Sequence, residues 1–243
     1  MMTQDRPLTI VTGASSGIGA AVAVEFSRAG YPLLLVARRG DRLAGLGLDR
    51  ALCRAVDVTD RAALAAAIAE AESVYGPADL LVNNAGVMPL GGIADQPSEE
   101  WQRAFDVNCL ALLTATQLVL PGMLRRERGT VVNVSSIAGR NVYANHTVYS
   151  GTKFAVHAMT ESMRREYAPR GVRFQLVSPG LVETELLEGT GSESIKDSYR
   201  TAREAIGGGL DPAAVAHAVR YAYELPQDVC VREIVLAPTR QDS

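Results

Sequence analysis

Lysine is almost absent from this sequence of 243 residues. Lys153 and Lys196 are the only two, so arginine supplies 22 of the 24 basic residues. Arginine stays charged and does not release a proton near neutral pH, whereas lysine can. Each lysine is therefore a candidate position for the chemistry of an amine rather than for positive charge alone.

Cysteine is also scarce, and its spacing excludes two kinds of site. The three cysteines, Cys53, Cys109 and Cys230, are odd in number and far apart. They predict neither a disulfide framework nor a set of metal ligands. We expect a reducing, cytoplasmic location and no bound metal.

Blocks of positive charge are missing as well. The chain has 27 acidic and 24 basic residues, a formal net charge of −3, and no basic run. A nucleic-acid-binding surface needs clustered Lys or Arg. We therefore predict no nucleic-acid partner.

No hydrophobic run is long and uninterrupted enough to predict a membrane span. The most apolar stretch, residues 109–124, is broken by two threonines, a glutamine and Pro121, which indicates a buried helix. Residues 1–8 lack the apolar segment of a signal peptide. We expect neither a membrane partner nor a secretory signal.

The sequence does contain a regular alternation of short apolar runs and longer Ala-rich amphipathic stretches, as in βαβ units. The apolar runs lack period-2 alternation, which suits strands buried on both faces by crossover helices. We predict one α/β domain over residues 1–243: a Rossmann-type, doubly wound parallel sheet of about seven strands with helices on both faces. The predicted strands are residues 8–11, 33–36, 53–58, 80–82, 130–134, 173–177 and 230–236.

A glycine-rich turn follows the first predicted strand. Gly13, Gly17 and Gly19 form the pattern G-x-x-x-G-x-G just before a helical segment. Glycines let the backbone approach a pyrophosphate, whose charge is met by free N–H groups at the helix N-terminus. The alternative interpretation is a strand-to-helix turn that binds no phosphate. The position of the turn directly after the first strand argues against this alternative.

The end of the second predicted strand indicates which dinucleotide is used. NAD enzymes place a carboxylate there to bind the ribose hydroxyls. This chain instead has Ala37, Arg38 and Arg39. Guanidinium groups bind a 2′-phosphate in a bidentate manner, so the pair favours NADP(H), with Arg38 as the first contact and Arg39 as the second. The alternative is two solvated surface arginines in an Arg-rich protein.

Tyr149 and Lys153 are four residues apart in a helical segment, so their side chains share one face. A phenol is a poor acid or base at neutral pH unless its phenolate is stabilised, and a nearby ammonium would lower its pKa. Ser136, after the strand at 130–134, could donate a hydrogen bond to a substrate oxygen, with Ser135 as its rival. Asn108 lies within an apolar helix, where a buried amide needs partners.

Together these motifs resemble the short-chain dehydrogenase/reductase family. The motifs are residues 12–19, Asn83-Asn84-Ala85-Gly86, Asn108, Ser136, Tyr149-Ser150-Gly151-Thr152-Lys153 and Ser178-Pro179-Gly180, in family order from about residue 8 to 185. The resemblance implies that Tyr149 is the general acid or base and that Lys153 lowers its pKa and holds the nicotinamide ribose. It implies that Ser136 orients the substrate oxygen and that Asn108 holds a water of a proton relay.

The resemblance also implies a coenzyme cleft. In it, Asp57 and Val58 flank the adenine, and Asn84 supports the sheet. Pro179, Gly180 and Val182 would cover the nicotinamide, with Thr184 at its carboxamide. With the turn and the arginine pair, the predicted coenzyme residues are Gly13, Ser15, Ser16, Gly17, Ile18, Gly19, Arg38, Arg39, Asp57, Val58, Asn84, Ala85, Gly86, Tyr149, Lys153, Pro179, Gly180, Val182 and Thr184.

Residues 183–210 correspond to the mobile substrate lid of that family, with a hinge at Gly207-Gly208-Gly209. Within the lid Lys196 could meet a carboxylate, but we expect it to be exposed and solvated. His146 is read as an incidental loop residue. The segment 231–239 resembles an NADP-dependent subgroup acting on 3-hydroxy acids, near the clavulanate-type aldehyde reductases.

The leading hypothesis is an NADP(H)-dependent oxidoreductase acting on a small hydroxy acid, aldehyde or ketone. One alternative is a 3-oxoacyl-carrier-protein reductase, with Arg125, Arg126 and Arg128 as a patch for the acidic carrier. Another is a dinucleotide-sensing module without turnover. The helices predicted at 101–125 and 148–165 are apolar on more than one face, which predicts a homodimer or homotetramer.

Overall fold

The computed structural model describes residues 6–242. The absence of a signal peptide was predicted from residues 1–8, and residues 1–5 of that segment lie outside the described part. That expectation stays a prediction. The three cysteines are unpaired, as expected from their spacing.

A single parallel sheet of seven strands forms the centre of the molecule, in the order β3-β2-β1-β4-β5-β6-β7. This confirms the predicted doubly wound fold. The strands are β1 Leu8–Thr12, β2 Leu33–Ala37, β3 Ala51–Ala55, β4 Ala78–Asn83, β5 Gly129–Val134, β6 Val172–Pro179 and β7 Glu233–Leu236. Two predicted bounds were wrong: β3 lies earlier than residues 53–58, and β7 covers only the second half of 230–236.

Eight α-helices connect and cover these strands within the described residues. They are α1 Gly17–Arg28, α2 Gly40–Ala44, α3 Arg61–Tyr75, α4 Ser98–Phe105, α5 Ala111–Arg125, α6 Thr147–Tyr167, α7 Glu193–Ala205 and α8 Pro212–Glu224. Asp60 begins α3 by accepting a hydrogen bond from the N–H of Ala63 at 3.0 Å. A π-helical segment, Asp106–Leu110, joins α4 to α5.

The core has two layers, one on each face of the sheet. Phe26 of α1 and Val219 of α8 pack with Leu33 and Leu35 on one face. Ile68 of α3 and the α5 residues pack on the other face. Because β1, β2, β4 and β5 are buried throughout, their continuous apolar runs are explained by helices covering both faces.

The segment Ser98–Arg125 is long and apolar enough to cross a membrane by length and composition alone. Its most apolar window has a mean hydropathy of 1.6, but 56% of that window is buried inside the molecule. A helix that packs against the sheet of its own domain explains the apolar composition, in agreement with the predicted buried helix.

The strand order reverses at β1, which lies between β2 and β4. In open α/β sheets, ligands bind in the crevice beyond the carboxyl ends of the strands at such a switch point. The glycine turn after β1 and the segment Asn84–Gly86 after β4 therefore face the same crevice.

Candidate active site

The turn after β1 has a backbone that only glycine accommodates. Gly13 and Gly17 have φ angles of +67° and +53°, in the left-handed region. A Cβ on Gly13 would lie 2.8 Å from the Cα of Ala85, and one on Gly19 would collide with the carbonyl oxygen of Gly13. The glycine pattern is thus required by the turn geometry.

Asn84 ties this turn to the segment after β4. Its Nδ2 donates to the carbonyl oxygens of Thr12 and Gly13 at 3.0 and 3.2 Å. In return, the Thr12 hydroxyl accepts the backbone N–H groups of Asn84 and Ala85, both at 3.1 Å. Four hydrogen bonds therefore fix the relative position of the two loops at the switch point.

A cavity of about 600 Å³ opens over this point. Most of the predicted coenzyme residues line it: Gly13, Ser15, Ser16, Gly17, Ile18, Arg38, Arg39, Asp57, Val58, Asn84, Ala85, Gly86, Tyr149, Lys153 and Thr184. Gly19 is not among its lining residues and packs behind the turn. Pro179, Gly180 and Val182 line a second cavity of about 740 Å³, which shares Ile18, Tyr149 and Thr184 with the first.

The arginines at the end of β2 have different partners. Arg39 donates to the hydroxyls of Ser15 and Ser16, at 3.1 and 2.7 Å, and to the carboxylate of Glu185 at 2.8 Å. Arg42, which the sequence reasoning missed, lines the same cavity and also contacts Glu185. Arg38, ranked first from the sequence, is exposed on the cavity wall.

Asp57 is held in its charged form at the cavity wall. Burial raises the pKa of its carboxyl, but the hydrogen bonds from Thr59 and the nearby charges of Arg38 and Arg103 outweigh burial, so the pKa lies below its usual value. The bonds from the backbone N–H and hydroxyl of Thr59 are 3.0 and 2.8 Å long.

Tyr149 lies where the two cavities meet, and its side chain is only 5% exposed. Burial raises the pKa of Tyr149 to about 12, while a hydrogen bond with the Ser136 hydroxyl opposes this. The rival Ser135 instead directs its hydroxyl to the backbone oxygen of Lys153, at 3.5 Å. Ser136, rather than Ser135, is therefore paired with the phenol.

Lys153 follows Tyr149 by one helical turn of α6, as predicted. Its Nζ donates to the carbonyl oxygen of Val134 at 3.1 Å and lies 5.7 Å from the centre of the Tyr149 ring. Burial lowers the pKa of Lys153 to about 8. The expected lowering of the tyrosine pKa by this ammonium is not found here, because burial of the phenol dominates.

Asn108 lies in the π-helical segment and is 3% exposed. Its Oδ1 accepts the N–H of Val87, and its Nδ2 donates to the oxygen of Val87, both at 2.9 Å. Nδ2 also donates to Thr152 Oγ1 at 3.0 Å. The side-chain amide thus makes three hydrogen bonds, and it lies in a π-helical turn, a distortion that is frequent at functional sites.

His157 was missed by the sequence reasoning. It follows Lys153 by four residues, so it shares the face of α6 that carries Tyr149 and Lys153, which was the available signal. Its side chain hydrogen-bonds the backbone of Ser136 and lies 3.3 Å from the hydroxyl of Ser178. Burial lowers its pKa. It therefore supports the loop that presents Ser136.

The segment 183–210 covers the second cavity. A bridge between Val182 and Leu210 closes its base, and Gly207 and Gly208 have φ angles of +86° and +107°. The expectation for Lys196 was wrong: it is 9% exposed and pairs with Glu193 at 2.9 Å, because α7 turns this side chain inward.

Aromatic rings form part of the wall of the second cavity near Tyr149. Tyr143, His146 and Tyr199 line it, and the rings of His146 and Tyr149 are 6.3 Å apart. Burial lowers the pKa of His146, so this imidazole is neutral at pH 7. His146 therefore belongs to the pocket wall rather than to an incidental loop. Burial, and then the neighbouring Tyr149, raise the pKa of Tyr199 above its usual range.

Comparisons with known proteins agree with this geometry. The family model described as short chain dehydrogenase matches residues 7–194. The chain belongs to the short-chain dehydrogenase/reductase family. We identify it as an oxidoreductase of that family from three observations: the family match, the parallel sheet and the arrangement of Ser136, Tyr149 and Lys153.

Individual relatives differ in what their names state. The chain is 41% identical over 239 residues to glycine betaine reductase ATRR of Emericella nidulans, covering 95% of this chain but only 18% of that protein's length. It is 37% identical to an uncharacterized oxidoreductase of Staphylococcus saprophyticus, covering 96% of both chains. The closed form of a serine dehydrogenase complexed with NADP+ superposes with a TM-score of 0.91 at 29% identity, covering 97% of this chain and 96% of that one.

Proposed function

We propose that this protein is an NADP(H)-dependent oxidoreductase that transfers hydride between the nicotinamide and a small hydroxy acid, aldehyde or ketone. The observation that carries the proposal is the position of Tyr149. Its hydroxyl is paired with Ser136 at the junction of a coenzyme-sized cavity and a second cavity for the substrate. A proton donor there faces both the coenzyme and the substrate.

The residues present fit NADP(H). The glycine turn leaves room where any Cβ would collide, and backbone N–H groups at the start of α1 suit a pyrophosphate. Arg38, Arg39 and Arg42 line the end of β2, where the adenosine 2′-phosphate is recognised. When bound, the nicotinamide supplies or accepts the hydride.

Side chains of the protein donate and relay the proton. A phenol with a pKa near 12 stays protonated at neutral pH, so Tyr149 is ready to donate to a carbonyl oxygen during reduction. Ser136 donates a second hydrogen bond to the same oxygen and stabilises the developing negative charge. Lys153 binds the nicotinamide ribose and passes protons toward Tyr149. In the proposed relay Asn108 holds a water, and its side-chain amide is positioned by hydrogen bonds to Val87 and Thr152.

The direct test is a screen of NADPH oxidation with small aldehydes, ketones and 3-oxo acids, alongside NADP+ reduction with the matching alcohols. Tyr149→Phe is the matched control. We expect it to bind NADPH with unchanged affinity and to lose turnover by about 10²–10⁴-fold, because only the proton donor is removed. A sensing module would show coenzyme binding but no turnover in either protein.

Two arginines of the predicted carrier patch already have internal partners. Arg126 donates to the carbonyl oxygen of Ala78 at 2.6 Å, and Arg128 pairs with Asp79 at 3.1 Å. These contacts leave less free positive charge for an acidic carrier, so a small free substrate is the favoured class.

A second substrate class is favoured by the aromatic wall of the substrate cavity. Rings bind quaternary ammonium groups through cation–π contacts, and Tyr143, His146 and Tyr199 surround the space beside Tyr149. Of the three arginines that line this cavity, Arg200 is paired with Asp197 and Arg203 with Glu183, while Arg240 is the third. The name of the relative in Emericella nidulans, a glycine betaine reductase, points to the same class of head group.

An isosteric pair of alcohols tests this class. Choline and 3,3-dimethylbutan-1-ol have the same shape and differ in one charge, so their kcat/KM values with NADP+ report recognition of the cation. A preference for choline of at least about tenfold supports the ammonium class, because one desolvated cation–π contact supplies that much. Equal kcat/KM values, or a preference for the neutral alcohol, would contradict the ammonium class. The substrate would then be a hydroxy acid, aldehyde or ketone without a cationic group.

A further inference from the structure

The carboxylate of Glu185 lies between two arginines of the coenzyme cavity. Arg39 Nη1 donates to its Oε2 at 2.8 Å. Arg42 Nη1 contacts both of its oxygens at 2.7 Å. These contacts hold the pKa of Glu185 below its usual value, so the carboxylate is charged at neutral pH. The guanidinium groups of Arg39 and Arg42 are therefore already paired with a carboxylate of the same chain.

The position of this anion is where a 2′-phosphate would be recognised. Arg39 also binds the hydroxyls of Ser15 and Ser16 in the glycine turn. Arg39, Arg42 and Glu185 line the coenzyme cavity together with Ala37 at the end of β2. A phosphomonoester presents more negative charge and more acceptor oxygens than a carboxylate, and guanidinium forks suit both.

Glu185 comes from a distant part of the chain. It begins the short 3-10 helix Glu185–Gly189 at the start of the segment 183–210, and Thr184 caps that helix. The side chain of Thr184 packs on the glycine turn, where a Cβ on Gly17 would be 2.8 Å from its Cγ2. The contact therefore joins the segment over the substrate cavity to the coenzyme site.

We propose that Glu185 is a specificity-determining residue that competes with the 2′-phosphate of NADP(H) for Arg39 and Arg42. This inference rests on the proposed NADP(H) dependence. Binding of the phosphorylated coenzyme exchanges the carboxylate for the phosphate. A coenzyme without the 2′-phosphate leaves the two ion pairs in place. The affinity for NADPH thus depends on how much more strongly the two arginines bind the 2′-phosphate than the Glu185 carboxylate. Glu185 therefore lowers the preference for NADPH over NADH.

Removing the charge of Glu185 tests the competition. Glu185→Gln and Glu185→Ala are compared with the unchanged protein by the binding of NADPH, NADH, adenosine 2′,5′-bisphosphate and AMP. We expect both variants to bind NADPH and the bisphosphate about three- to tenfold more tightly, as for the loss of two partly exposed ion pairs. Binding of NADH and AMP should change by less than about twofold.

The matched control is Glu193→Gln. Glu193 belongs to the same segment and pairs with Lys196 and Arg200, but it is not among the residues that line the coenzyme cavity. The substitution removes the same net charge, so unchanged NADPH affinity shows that the effect of Glu185 is local. The gain in Glu185→Gln should also shrink with added salt, because the ion pairs are half exposed.

Three results overturn the inference. NADPH binding that weakens in Glu185→Gln means that the carboxylate holds the arginines in place. Equal tightening of NADPH and NADH means that general charge, not the 2′-phosphate, is sensed. Tight NADPH binding that no variant changes means that Glu185 has no role. If the unchanged protein binds no NADPH at all, the proposed function itself fails, which is a distinct outcome.

Discussion

Asn108 donates a hydrogen bond of 3.0 Å to the hydroxyl of Thr152, and that hydroxyl donates to the backbone oxygen of Tyr149 at 2.7 Å. Asn108 also makes two hydrogen bonds with the backbone of Val87, each 2.9 Å long. One buried amide thus connects the segment after β4, the π-helical turn and the helix that carries the phenol.

Replacing Asn108 with leucine should therefore destabilise the protein as well as lower its turnover rate. The partly buried backbone groups of Val87 would lose both partners, so we expect the free energy of unfolding to fall by about 2 kcal/mol. Urea denaturation measures this. Thr152→Val, which keeps both bonds to Val87, is the control and should cost about 1 kcal/mol. Equal losses in the two variants would contradict the connecting role.

Most residues of the site could be predicted from local sequence patterns. The pair Tyr149 and Lys153 is one helical turn apart, and the glycine turn is one short segment, so periodicity and spacing were sufficient to find them. The doubly wound parallel sheet also followed from the alternation of runs, because crossover handedness leaves few other arrangements. Helices α7 and α8 were not predicted: α7 lies in the polar segment 183–210, and α8 follows that segment without a separate assignment.

Contacts between distant residues could not be predicted in the same way. Arg42 and Glu185 are 143 residues apart, and nothing in either local sequence specifies their pairing. The pKa of Tyr149 is another example. Spacing placed an ammonium nearby and implied a lowered value, but the extent of burial, which raises the value, depends on the packed structure.

Ala37→Asp should change the coenzyme preference toward NAD(H). Ala37 ends β2 and lines the coenzyme cavity, where a carboxylate accepts the ribose hydroxyls and repels a 2′-phosphate. We expect the ratio of kcat/KM for NADPH to that for NADH to fall by at least about tenfold. Ala37→Ser adds a smaller polar side chain without charge and should leave the ratio within about twofold. An unchanged ratio in the aspartate variant would refute the assignment of this position.

The predicted homo-oligomer can be tested on the outer face of α4, the π-helical turn and α6. Phe105, Leu110 and Phe154 are exposed there by 41%, 53% and 42%. Burial of such a patch between copies of the chain would stabilise a dimer or tetramer. We expect light scattering to give a multiple of 25.9 kDa for the unchanged protein and a lower mass for Phe154→Glu.

The control for that experiment is Val74→Glu. Val74 is 59% exposed on α3, a helix that contributes no residue to the patch, so its substitution should leave the oligomer intact. A mass of one subunit for the unchanged protein would refute the oligomer, and equal dissociation by both variants would show that the patch is not the interface.

Lys153→Met should raise the stability of the protein while abolishing its turnover. Burial lowers the pKa of Lys153 from 10.5 to about 8, so the folded protein at pH 7 contains a poorly solvated ammonium. Removing that charge, less the loss of the bond to Val134, should raise the free energy of unfolding by about 2 kcal/mol at pH 7. Methionine fills a similar volume but cannot hold or pass a proton.

The pH dependence of that gain gives the decisive measurement. Between pH 8 and 10.5 the unfolded chain keeps the lysine proton while the folded protein has lost it, so the unchanged protein becomes relatively more stable as pH rises. The advantage of Lys153→Met should therefore be full below pH 8 and shrink toward pH 10.5. Lys196→Met is the matched control. A pH-independent gain in Lys153→Met, or the same trend in the control, would show that the titration of Lys153 is not its source.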